Sequence, residues 1–204
     1  CKRERIMAKR DLTHVRDNRS EEELEEYWPE TDQREEIWAD IICDEMRFKT
    51  HKNVTYENYG CGHDGKMIRN AEDVNSKPDK KFIIDGKEIL IEIKAYDRSN
   101  GNQREMMTIK THSLKECVKY NAFIVVPSVS AWVIFTPTGI EYLLGYGVSK
   151  IYPGFSPNDL AIRMYSMDVS VMLDSKAISI HDWSLDSKNK IEKNWKKLFI
   201  KEKK

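Results

Sequence analysis

The sequence predicts an α/β fold in which a central mixed β-sheet is flanked by α-helices. Three observations carry this prediction. Residues 31–48 have the apolar periodicity of an amphipathic helix, and Asp85-Gly86 is a hairpin-turn signal between two β-rich runs. Further on, a helical segment is followed by two apolar runs, "AFIVVPS" and "AWVIFTP". Helices that alternate with buried strands are typical of one α/β domain.

The composition indicates a globular protein with a heavily charged surface. Lys+Arg and Asp+Glu are equal at 34 each, so the overall charge does not indicate an anionic partner. No apolar run is long enough to cross a bilayer, and no signal peptide is visible. The 4 cysteines lack paired spacing, which is typical of reduced thiols. We therefore expect a cytoplasmic protein that is neither secreted nor bound to a membrane.

Charge patterns divide the chain into three parts. Residues 1–30 are predicted as a charged N-terminal arm with a short acidic helix, which Ser20 would cap and Pro29 would end. Residues 31–186 are predicted as the main domain, and residues 187–204 as a basic C-terminal helix. The domain would open with a helix in which Asp32 and Glu35 form a capping box.

The remaining elements follow from local patterns. A short strand is predicted at "NVTYENYG", and the stretch 60–77 has the composition of a loop. Beyond the hairpin, "THSLKECVKY" and "TGIEYLLGYG" are predicted as helices. The segments "AIRMYSMDVSVML" and "KAISIHDW" alternate less cleanly and are predicted as outer strands.

The hairpin at Asp85-Gly86 fixes which residues face each other. In a two-residue loop Ile84 faces Lys87, and the same register brings Asp79 opposite Glu92. Because side chains alternate along a strand, one face collects apolar residues and the other collects the charged ones. The apolar face comprises Phe82, Ile84, Ile89, Ile91 and Ile93; the other comprises Asp79, Lys81, Ile83, Leu90, Glu92 and Lys94.

Two carboxylates that face each other across a strand pair need an explanation. Their Cβ atoms lie about 5 Å apart, and like charges at that distance destabilise a sheet. A divalent cation reverses the sign of that interaction, and Mg²⁺ prefers carboxylate oxygens, water and phosphate. Lys94 projects from the same face as Glu92, where it would hold or deprotonate a water or stabilise charge on a phosphate. The pattern predicts phosphodiester hydrolysis.

Pro78-Asp79 followed by Glu92-Ile93-Lys94 after a hairpin resembles the signature of the PD-(D/E)XK nuclease superfamily over residues 32–135. The resemblance implies a restriction-endonuclease-like core. It also implies that Asp79, Glu92 and the Ile93 carbonyl bind the metal and that Lys94 is the catalytic lysine. The first helix of the family often adds an acid, for which Glu35 is the first choice, with Glu36 and Glu45 as alternatives.

This resemblance implies an endonuclease that cuts DNA with Mg²⁺ or Mn²⁺, and a homodimer is compatible with it. A second hypothesis is an RNA endonuclease of the viral cap-snatching type, which often has a metal-binding histidine on an early helix. Here His51 falls just after that helix. A third hypothesis is a non-catalytic nucleic-acid-binding module.

Further lysines are candidates for contact with the phosphate backbone. Lys110, with His112, would open the helix after the motif, near the place where the family often has a polar residue at the phosphate. The C-terminal segment carries Lys193, Lys196 and Lys197 on a predicted basic helix.

Overall fold

A computed structural model of the chain describes residues 21–60, 77–95, 106–145, 159–163 and 173–199. Within them no helix combines the length and the apolar character that crossing a membrane requires. The elements in chain order are α1 (Glu21–Thr50), β1 (Val54–Asn58), β2 (Lys80–Ile84), β3 (Lys87–Ile93), β4 (Met106–Lys110), α2 (Thr111–Lys119), β5 (Phe123–Pro127), β6 (Ala131–Phe135), α3 (Pro137–Gly145), β7 (Asp159–Arg163), β8 (Ile178–Asp182), α4 (Leu185–Lys193) and α5 (Trp195–Leu198).

Six strands form the central sheet in the order β1-β2-β3-β5-β6-β8. The pair β3–β5 is parallel, and the other neighbours are antiparallel, so the sheet is mixed as the sequence predicts. The strand pair β4–β7 forms a separate antiparallel ladder. The predicted outer position is confirmed for β8, which lies at one edge of the described sheet.

Each face of the sheet packs against its own set of helices. On one face Trp38 of α1 and Leu198 of α5 share a core cluster with Phe82 and Ile91. On the other face Leu114 of α2 and Ile140 of α3 share a cluster with Ile124 and Phe135. Along β5 the clusters alternate, since Val125 belongs to the first cluster and Ile124 and Val126 to the second. A strand buried on both faces reads as a continuous apolar run, which explains the sequence "FIVV".

The β2–β3 hairpin has the predicted register. Lys80 pairs with Ile91 and Ile84 with Lys87, around a turn at Asp85 and Gly86. Both turn residues have positive φ, 47° and 81°, as a type I′ turn requires. The predicted division of faces is also confirmed, because the five apolar residues of the hairpin belong to the α1 cluster and Leu90 packs on the opposite one.

The predicted helix boundary at Pro29 is wrong. A single helix, α1, runs from Glu21 to Thr50 with Pro29 inside it. Pro29 costs the helix one backbone hydrogen bond, but it is exposed and lies before the buried face that begins near Arg34 and Trp38. The packing of that face stabilises α1, so the low helix propensity of Pro29 does not end the helix.

Two more boundaries differ from the prediction. The C-terminal helical region begins at Leu185, where Ser184 is the N-cap and accepts a hydrogen bond from the Ser187 amide. It is divided at Asn194 into α4 and α5. Lys110 ends β4, and α2 begins only at Thr111, so Lys110 does not open a helix. Lys110 belongs to a strand because it pairs with Asp159 of the distant β7. No local sequence pattern indicates this pairing.

Candidate active site

Asp79 directly precedes β2 and is held by backbone contacts on two sides. Its Oδ2 accepts a hydrogen bond of 2.7 Å from the Ile93 amide on β3. Its own carbonyl accepts from the Tyr59 and Gly60 amides, at 3.0 and 3.3 Å. A Cβ at Gly60 would lie 3.1 Å from the Lys77 and Pro78 carbonyl oxygens, so this close approach favours glycine. The carboxylate is therefore fixed at the end of the hairpin, beside the strand that carries Glu92.

Glu92 and Lys94 form an ion pair at the end of β3. Glu92 is buried, at 7% exposure, and the Lys94 ammonium contacts its Oε1. The Lys94 amide donates to the Val125 carbonyl at 2.9 Å, which fixes the residue beside β5. Burial disfavours the Lys94 charge, but Glu92 and Asp79 outweigh it and raise the pKa of Lys94 above its ordinary value. In the metal-free protein Lys94 is therefore a protonated cation and not a base.

Glu35 reaches the same place from α1. Its Oε1 is buried and has no hydrogen-bond partner. Burial raises the pKa of Glu35 to about 7; Lys80 and Lys94 counteract this, and the Glu92 charge adds to it. The pKa of Asp79 is also raised, first by burial and then by the Glu92 and Glu35 charges. The charges of Glu35, Asp79, Glu92 and Lys94 therefore act on one another at this end of the hairpin.

The other two glutamates that the sequence offered are engaged elsewhere. Glu36 forms an ion pair with Lys80 and accepts a hydrogen bond from the Tyr56 hydroxyl at 3.3 Å. Glu45 accepts hydrogen bonds from Ser184 and Ser187 at the start of α4. It also lies ten residues from Glu35, about 15 Å along the helix axis. Of the three, Glu35 is the one that α1 brings to Asp79 and Glu92.

The donor set suits a hard divalent cation. Asp79 and Glu92 offer carboxylate oxygens, the Ile93 carbonyl lies between Glu92 and Lys94, and the orphaned Glu35 oxygen adds another donor. In the part of the chain that the structure describes, no three Asp, Glu, His or Cys side chains form a ready-made metal-binding group. Mg²⁺ is commonly held by only one or two carboxylates, with water and substrate phosphate completing its shell. The residues present therefore fit this ion.

Lys80 was not among the residues predicted at the site, yet it is fully buried beside it. Its ammonium contacts Glu36 on α1 and the Asn58 side chain on β1, the latter at 2.5 Å. A signal for it exists in the sequence: Lys80 lies two residues before Phe82, so the strand alternation puts both on the apolar face. A lysine at such a position needs a partner for its charge.

The lysines predicted to contact nucleic acid lie on different elements. Lys193 ends α4, and Lys196 and Lys197 lie on α5; all three are exposed. Both helices pack beside α1. Lys110 ends β4. Most of the loop 60–77, at residues 61–76, lies outside the described residues.

No protein-family model matches the chain, and no curated protein has a significantly similar sequence. The resemblance to PD-(D/E)XK nucleases therefore depends on the motif residues of the sequence alone.

Proposed function

We propose that the protein is a divalent-metal-dependent endonuclease that hydrolyses DNA phosphodiester bonds, with a restriction-endonuclease-like core. The observation that carries the proposal is the strand end at which the Ile93 amide holds Asp79 beside the Glu92–Lys94 ion pair, with Glu35 near enough for its charge to act on Asp79. Buried Glu92 and the half-buried Asp79 and Glu35 are costly for a protein in one place, as the raised pKa values of Asp79 and Glu35 indicate. Clusters of this kind are typical of functional sites.

The order of elements also supports the proposal. An acidic helix, a hairpin with the motif at its open end, a helix and a strand parallel to β3 follow one another along the chain. That order agrees with the resemblance of the sequence to PD-(D/E)XK nucleases. The topology supports the core assignment, and the charged residues at the end of the hairpin support the chemistry.

Each residue has a role that follows from its environment. Asp79, Glu92, the Ile93 carbonyl and Glu35 would hold Mg²⁺ or Mn²⁺. The bound cation would supply positive charge to the phosphate and make water a better nucleophile. Lys94 would hold the attacking water or stabilise the negative charge that develops on the phosphate. The Ile93 amide keeps Asp79 in place through its hydrogen bond of 2.7 Å.

The position of His51 favours DNA over the cap-snatching alternative. His51 directly follows α1 and lies 16 residues after Glu35, about 24 Å along the helix axis. At that distance it does not join Glu35 at a common cation. Among the residues that the structure describes, the candidate site thus consists of carboxylates and a lysine, without the early-helix histidine that the RNA enzymes often have.

Cleavage assays test the proposal directly. Wild-type protein and Lys94→Ala would be incubated with supercoiled plasmid, linear duplex, branched DNA and single-stranded RNA, each with Mg²⁺, Mn²⁺ or EDTA. We expect metal-dependent cutting of DNA that Lys94→Ala abolishes. Lys115→Ala, at an exposed position on α2, is the control and should cut like wild type. Preferential cutting of RNA would select the second hypothesis. No cutting together with no metal binding would leave the binding module.

A further inference from the structure

Lys80 joins three elements next to the candidate site. Its side chain is fully buried between α1, β1 and β2, and its ammonium contacts Glu36 and Asn58. Asn58 is also its cross-strand neighbour. The Tyr56 hydroxyl shares its one proton between Asp40, at 2.6 Å, and Glu36, at 3.3 Å, and so contacts Glu36 a second time. One helical turn of α1 is thereby fastened to the strand pair through side chains of both strands.

Helix geometry links this fastening to Glu35. Consecutive residues of an α-helix are rotated by about 100° around its axis. When Glu36 is held by Lys80 and Tyr56, the rotation of α1 is fixed, and with it the direction of Glu35. A small rotation of this turn would move the Glu35 carboxyl away from Asp79 and Glu92.

Strand geometry links the same residue to Asp79. Asp79 and Lys80 are consecutive, and successive side chains of an extended strand point to opposite faces. Anchoring Lys80 on the α1 face therefore fixes the strand end from which the Asp79 carboxylate accepts the hydrogen bond of the Ile93 amide. The contacts of Lys80 therefore influence the positions of both Glu35 and Asp79, although Lys80 itself is not one of the cation-binding groups.

We propose that Lys80 is a positioning residue that sets Glu35 and Asp79 in register for a shared divalent cation. This inference rests on the proposed function. It goes beyond the motif because Lys80 binds neither the cation nor the substrate. It acts through the rotation of α1 and the direction of the strand end.

The choice of variants follows from the exposure of the two partners. Lys80→Met keeps the length of the side chain and leaves Glu36, whose side chain is 37% exposed, to water. Removing the Glu36 side chain instead would leave the buried Lys80 ammonium without a charged partner. The second variant is therefore Glu36→Gln, which retains an acceptor oxygen. Lys81→Met is the matched control. Lys81 is the next residue of β2, on the opposite face, and pairs with Glu57 and Glu88.

The four proteins would be compared by calorimetric titration with Mn²⁺, by kcat and KM on supercoiled plasmid, and by amide exchange of residues 33–37 without metal. Lys80→Met should weaken Mn²⁺ binding and lower kcat, each by about 10- to 100-fold, with KM within about twofold of wild type. Exchange in this turn should be faster. Glu36→Gln should change in the same direction, and Lys81→Met should behave like wild type.

A merely structural role predicts another outcome. It would lower the melting temperature and speed exchange, but folded Lys80→Met would bind Mn²⁺ and turn over plasmid like wild type. That result overturns the inference and leaves the proposed function intact. Should Lys80→Met fail to fold, wild-type metal affinity and kcat in Glu36→Gln would overturn it equally. A wild-type protein that neither binds Mn²⁺ nor cuts DNA would overturn the proposed function, and the role of Lys80 with it.

Discussion

Two glutamates on the same helix, the half-buried Glu35 and the fully buried Glu45, have opposite surroundings. Glu45 is fully buried, yet it accepts hydrogen bonds from the Ser184 amide and from the Ser184 and Ser187 hydroxyls at 2.5–3.1 Å. Burial alone would raise the pKa of Glu45, but these hydrogen bonds and Lys49 lower it below its ordinary value. Glu35 has an oxygen without a partner, and its pKa rises to about 7.

This difference separates a structural acid from a candidate functional one. The Glu45 carboxylate joins α1 to the beginning of α4, and its hydrogen bonds compensate the loss of water. Glu35 lies against the Asp79 and Glu92 charges without such compensation. Acids without compensating hydrogen bonds are typical of sites where function lowers stability, whereas the acceptor at a helix cap is compensated. Burial of an acid is thus uninformative until its hydrogen bonds are known.

The largest expected effect is on stability, at Glu45. Glu45→Ala removes the acceptor for the Ser184 amide and two hydroxyls in a buried place, so the free energy of unfolding should fall by about 3 kcal/mol in urea denaturation. Glu30→Ala, an exposed glutamate on the same helix, is the control and should change it by less than about 0.5 kcal/mol. A loss below about 1 kcal/mol for Glu45→Ala would contradict the assigned role.

The second effect is on the pH dependence of stability, at Glu35. The native state keeps this carboxyl protonated up to about pH 7, whereas 4.5 is the ordinary pKa of the group. The native state therefore binds more protons between these values. The associated stability is complete below pH 4.5 and is lost as pH rises through about 7. Asp79, whose pKa is also raised, contributes in the same direction.

Glu35→Gln should remove this loss. In metal-free buffer we expect it to be nearly neutral at acidic pH and to raise the free energy of unfolding by on the order of 1–2 kcal/mol at alkaline pH. Thermal denaturation across that range measures it. Glu45→Gln is the comparison with the opposite sign, because the lowered pKa of Glu45 makes its ionised form the stabilising one. Parallel stability curves for wild type and Glu35→Gln would contradict the assignment.

The smallest effect concerns the salt dependence of DNA binding through α5, which follows α4, the helix that Glu45 contacts. If α5 contacts the phosphate backbone, the double variant Lys196→Ala/Lys197→Ala should reduce the slope of log affinity against log salt by up to about 2. Filter binding to duplex DNA in Ca²⁺ over a salt series measures it. Lys176→Ala and Lys188→Ala, also exposed lysines, serve as controls. An unchanged slope would remove α5 from the nucleic-acid interface.

Local chemistry predicted the hairpin and its register. Asp85-Gly86 accepts positive φ at both turn positions, and this fixes every pair of β2 and β3. The same register predicted that Asp79 faces Glu92 across the two strands. The strands β5 and β6 were predictable as well, because their apolar runs lie between clear breaks, whereas β8 was predicted as an outer strand from a less regular alternation.

Long-range contacts were not predictable from local patterns. The pairing of β4 with β7 joins segments about fifty residues apart, and the pattern of "MMTIK" does not signal it. The choice among Glu35, Glu36 and Glu45 depended on partners from other elements: Lys80 for Glu36 and Ser184 for Glu45. Packing of the buried face also carries α1 through Pro29.

Calorimetric titration of the metal-free protein with Mn²⁺ near neutral pH tests the central claim most directly. Wild type should bind the ion and release protons, because the pKa values of Glu35 and Asp79 are raised before binding. Repeating the titration in buffers of different ionisation enthalpy measures that release. Asp79→Asn should abolish binding, and Glu45→Gln should retain it. Absence of binding in wild type, or equal binding in Asp79→Asn, would contradict the account.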